Sequence, residues 1–156
     1  MSNATVNMYG AVSSQEDAAK YKAQMDAIEA MPDGKEKEAK YLETQASATA
    51  KVEEITKKKE QASGEMKLAL LNAGKDMAGA VGLNAAAVVL GKRIVSGVPS
   101  PEIAPRLPLV KDLLQGTVAQ MDSATKMLGA TKQLLTPAQV EELAKASAGS
   151  ASSGGI

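Results

Sequence analysis

Between Met77 and Gly91 the chain runs fifteen residues without a formal charge, MAGAVGLNAAAVVLG, most of them Ala, Gly and Val. Charge-dense sequence precedes the run and Lys92-Arg93 closes it. A helix rises 1.5 Å per residue, so the run spans about 22 Å, short of the roughly 30 Å hydrocarbon core of a bilayer. Asn84 in its middle adds a cost in lipid, and lengthening the span to 68–98 brings in Lys75, Asp76, Lys92 and Arg93. The run therefore reads as a packing helix rather than a transmembrane span.

Small residues set how that helix packs. Ala78, Gly82 and Ala86 fall four apart, as do Ala87 and Gly91, which gives a smooth face that lets another helix backbone come close. These five are the expected helix-packing and self-association positions. Burial against neighbouring helices is the first expectation. Self-association, or reversible membrane contact through the same face, is the other.

The chain has no Phe, no Trp and three tyrosines, Tyr9, Tyr21 and Tyr41. Each large aromatic supplies roughly 150–250 Å² when buried, so a core of Ala, Leu, Val and Met is thin. Such a chain gains stability from close helix packing, from self-association, or from both.

Opposite charges balance, with 18 basic and 18 acidic residues. No basic excess favours nucleic acid, so no nucleic-acid partner is expected. The absence of His and Cys removes the imidazole base, the usual nucleophile pairs, the common zinc ligands and any disulfide framework. Gly91-Lys92 fails the phosphate-loop pattern, because Ala86 stands where its first Gly belongs and Arg93 where Ser or Thr belongs. Neither catalysis nor a cofactor nor a metal site is expected. Arg106 is a candidate anion contact, against local pairing with Glu102 or Asp112. Lys57-Lys58-Lys59 lies among Glu53, Glu54 and Glu60 and reads as a solvated helix face.

Helical signals run along most of the chain. Residues 1–12 are expected to be disordered. Their Ser/Asn/Thr bias resembles the unstructured export signals of bacterial type III substrates, and they lack the basic and apolar regions of a Sec signal peptide. Ser13 with Glu16 offers a capping box for a helix over 13–31, stopped at Met31-Pro32-Asp33-Gly34. Asp33 can cap a second helix over 35–62, and helical spacing resumes over 65–96 through Met66, Leu70, Met77, Val81, Val88 and Val95. The two pieces read as one bent helix or as two. Four prolines across 97–108 predict a stiff, extended crossover. A helix over 109–135 follows. Thr136, Pro137 and Gln139 then start a short helix to 147.

The fold class expected is all-α: an elongated helical hairpin or small bundle over 13–147, with disordered residues 1–12 and a flexible tail over 148–156. The function expected is that of a non-enzymatic, self-associating structural protein, a homo-oligomer or the partner of another helical protein. The Ala-rich, aromatic-poor composition resembles that of type III translocator and needle-complex proteins and of small internal virion proteins. Secretion without a Sec signal, a virion and the cytoplasm are the settings considered. A membrane-active effector using 66–96, and a chaperone-like binding module, are the alternatives.

Overall fold

Six helices and one 3-10 turn make up the computed structural model, which describes residues 2–57, 62–97 and 100–152. They are α1 (Ser2–Val12), α2 (Gln15–Glu29), α3 (Lys35–Lys57), α4 (Gly64–Ser96), α5 (Leu107–Lys132) and α6 (Pro137–Ser152), and no strand occurs among the described residues. The all-α class is as expected.

Local chemistry places the boundaries. Ser14 rather than Ser13 caps α2, its hydroxyl accepting from the Asp17 amide at 3.1 Å. Asp33 does not cap α3. Its carboxylate pairs with Lys37 at 2.9 Å, and the same ammonium donates to the Glu29 carbonyl at 3.0 Å, which ties the end of α2 to the start of α3. Ser63 caps α4 by accepting from the Met66 amide at 3.1 Å. Thr136 and Gln139 form the expected reciprocal box: the Thr136 amide donates to Gln139 Oε1 at 3.0 Å and the Gln139 amide to Thr136 Oγ1 at 3.4 Å.

Three further expectations change. Residues 2–12 are a helix, because Ala4, Met8 and Val12 recur every four residues and are buried with Thr5 beneath α1. The described part of the proline segment, 100–106, is not extended. It turns through Pro101–Ile103 into the 3-10 turn Ala104–Arg106, and Pro108 sits in the first turn of α5, where its missing N–H costs nothing. Finally α6 continues to Ser152, past the expected end at 147. Residues 98–99, the Lys58-Lys59-Glu60 part of the lysine run and 153–156 of the expected tail lie outside the described residues.

Cross-contacts fix the directions. Lys35 meets Asp112 at 2.8 Å, Gln45 Nε2 donates to the Gln120 carbonyl at 3.3 Å, and Thr56 Oγ1 lies 3.4 Å from the Ala130 carbonyl, so α3 and α5 run parallel. Gly74 faces Leu128 and Gly91 faces Leu114, so α4 and α5 run antiparallel. The segments 35–57 and 64–96 are therefore two helices pointing opposite ways. Of the expected antiparallel packing of 35–96 against 109–135, the α4 part is present and the α3 part runs parallel to α5 instead, with α1 and α6 packed around them. Met8, Met25, Leu70, Met77, Met127, Leu143 and Val52 are fully buried at the centre. Methionine fills the irregular gaps that absent aromatics leave.

Candidate functional site

Coverage of α4 divides it in two. Leu70, Leu71, Ala73, Gly74, Met77 and Ala78 are buried in its first half, under α1, α5 and α6. In the second half only Val88 and Gly91 are buried. One hundred degrees per residue explains which side is covered: Met77, Val81, Val88 and Val95 share the face toward α5. Roughly 120° around the helix, Leu83, Ala87, Leu90 and Ile94 share another. That second face is open, with Leu83 76% exposed, Leu90 59% and Ile94 45%.

The five small residues do not act together. Ala78 is buried inside the molecule, and Gly91 is buried where a Cβ would meet the Leu114 side chain at 2.5 Å. Both serve intramolecular packing. Gly82 and Ala86 are half-buried, and Ala87 alone is exposed, among the open leucines. Sequence reading found the valine series toward α5 and missed the leucine series on the outer face. The signal was present: Leu83, Ala87, Leu90 and Ile94 repeat in steps of four, three and four, so the run has two apolar faces and no polar one.

Among the described residues one helix, Gly64–Ser96, is long and apolar enough to cross a membrane, and 17% of its most apolar eighteen-residue window is buried inside the molecule. A helix of this composition at the centre of a bundle is normally covered; this one is largely not.

Elsewhere the polar groups are mostly in structural pairs. Arg106 is exposed at the start of α5 and makes no ion pair among the described residues. Asp112, one of its expected partners, is taken by Lys35, and that carboxylate holds the lysine above its ordinary value. A cleft of about 590 Å³ lies beside this pair, lined by Lys35, Lys37, Glu38, Tyr41, Leu109 and Leu113. Two of its three carboxylates are paired, Asp112 with Lys35 and Asp33 with Lys37, which holds the Asp33 carboxyl below the usual range; Glu38 makes no ion pair among the described residues. Among the described residues no three acidic side chains converge as a metal would require.

The tyrosines form a further constellation that spacing alone did not reveal. Tyr9 of α1 stacks on Tyr21 of α2 with ring centroids 4.4 Å apart. Burial pushes the Tyr21 phenol up, with Tyr41 and Tyr9 adding to the effect. Tyr41 is pushed up to about 12 by burial and the nearby Glu29 carboxylate. The three rings come from three helices and clasp the N-terminal arm to the bundle, a packing role.

No family model, curated protein or solved structure matches the chain.

Proposed function

We propose that this chain is a non-enzymatic, self-associating helical assembly protein, and that copies meet through the outer face of the second half of α4. One observation carries the reading: the most apolar stretch of the chain is left largely uncovered, with Leu83, Leu90 and Ile94 open to solvent. Monomeric soluble proteins rarely leave such contiguous apolar surface uncovered. The setting we attach to it, a bacterial export machine or a phage particle, is supported by the composition.

Sedimentation equilibrium over a range of concentrations tests the reading. The wild type is expected to show an oligomer that builds with concentration. A Leu83→Glu, Leu90→Glu variant is expected to stay monomeric with unchanged helical circular dichroism. A wild type that is monomeric throughout, or a double variant that associates equally well, removes the proposal.

The same exposed window supports a second reading, in which α4 contacts lipid. Flotation with neutral and with anionic vesicles separates the two. Lipid binding that the two glutamates abolish, without self-association in solution, favours the membrane reading. Capture of a different helical protein without self-association favours a binding module.

A further inference from the structure

We propose that α4 pairs with α4 of a second copy, antiparallel, along a heptad seam on its outer face. This rests on the self-association reading and adds its geometry. The seam reads Asp76, Ala80, Leu83, Ala87, Leu90, Ile94, in alternating steps of four and three, the repeat of a coiled-coil stripe. It begins further back, at Ala69 and Ala73. There α1 and α2 of the same chain overhang it, leaving a groove of about 500 Å³ bounded by Val6, Gly10 and Lys22. The chain's own helices thus flank the first part of the seam as far as Asp76, and past the half-buried Ala80 the seam runs on exposed through Leu83, Ala87, Leu90 and Ile94.

Two features of the seam identify its occupant. Its side chains alternate in size, Ala80 and Ala87 alternating with Leu83 and Leu90. In an antiparallel pair the two classes of seam position face each other, so Leu83 lies opposite the second copy's residue 87 and Leu90 opposite its residue 80. Every leucine then has a small residue to pack into. Opposite charges stand at its two ends, Asp76 on the seam and Arg93 next to its last residue, Ile94. Asp76 and Arg93 are both exposed, and neither makes an ion pair among the described residues. In the same register Asp76 of each copy lies opposite Ile94 of the other and beside its Arg93, twice by the two-fold axis. A parallel, in-register pair sets like charge against like instead, which is unfavourable. The complement this face requires, in size and in charge, is the face itself in reverse.

Charge exchange tests the pairing. Asp76→Arg and Arg93→Asp are each expected to weaken self-association about tenfold, because two exposed attractions become two repulsions. Mixing the two variants in equal amounts is expected to restore it, since every cross-contact then joins Arg to Asp. The chain has no cysteine, so Ser96→Cys accepts a single spin label. Antiparallel pairing about residue 85 puts the two labels about 33 Å apart along the helix, against roughly 10 Å for a parallel pair. Unchanged association of the single variants, failure of the mixture, or the short distance overturns the pairing while the self-association reading stands. A wild type that never associates overturns both.

Discussion

Gly91 and Gly129 show how much a single Cβ decides in a bundle of small residues. At Gly91 the added atom would meet the Leu114 side chain, whereas nothing lies within 4 Å of the position it would take at Gly129. Gly91→Val is therefore expected to lower stability by about 1–3 kcal/mol through overpacking. Gly129→Ala should raise it by about 0.5–1 kcal/mol, because an exposed helix interior gains from losing a glycine. Urea unfolding of both measures the contrast, and equal effects of one sign contradict the packing described. Tyr21 and Tyr41 give a pH signature. Both phenols ionise less readily in the folded protein, so the folded state holds their protons more firmly than the unfolded chain. Their contribution is complete below about pH 10, where unfolded tyrosine remains protonated, and is lost as the pH rises toward the folded values. Following tyrosinate absorbance beside helical circular dichroism should show helix lost above about pH 10 as the buried tyrosines ionise. Free ionisation near 10 with the helices intact contradicts their burial. The tight site at Gly91 was legible from small-residue spacing, because such spacing is local. The tyrosine cluster was not, because its members come from three helices.

Among the elements, α1 is where composition misled. Ser, Asn and Thr are frequent in the first residues, yet Ala4, Met8 and Val12 at intervals of four are enough once α2, α3 and α4 offer a surface. Thr131 Oγ1 lies 2.8 Å from the Met127 carbonyl and 3.3 Å from Met8 Sδ, so even the polar side of this contact is filled. Met8→Ala is expected to cost about 2–5 kcal/mol in urea unfolding, the range for truncating a buried methionine. A loss within experimental error means that α1 does not hold the bundle. The proline segment misled in the other direction. Prolines exclude a helix interior, but at Pro105 and Pro108 they occupy the 3-10 turn and the first turn of α5, which tolerate them. Capping was readable in part, since Asp33 pairs with Lys37 rather than capping α3. Thr136 with Gln139 behaves as the residues alone predict, and Ser14 caps α2 one residue beyond the serine first assigned.

For the whole molecule, the division of α4 is the central fact. Own-chain helices cover its first half, and its second half carries leucines outward. The sequence showed that this run packs closely, because small residues and missing charge are visible along one dimension. Which face packs inside and which faces out depends on where α5 lies, and α5 follows a turn that was read as extended. The candidate association residues accordingly shifted from Ala78 and Gly91, buried within the bundle, to Leu83, Ala87, Leu90 and Ile94. Leu68 and Leu90 supply the most direct comparison, since both lie on α4, at 56% and 59% exposure, on its covered and uncovered halves. Sedimentation equilibrium of Leu68→Glu and Leu90→Glu beside the wild type localises the contact. We expect Leu68→Glu to associate as the wild type does and Leu90→Glu to remain monomeric at the same concentrations. Equal behaviour of the two variants would contradict the account.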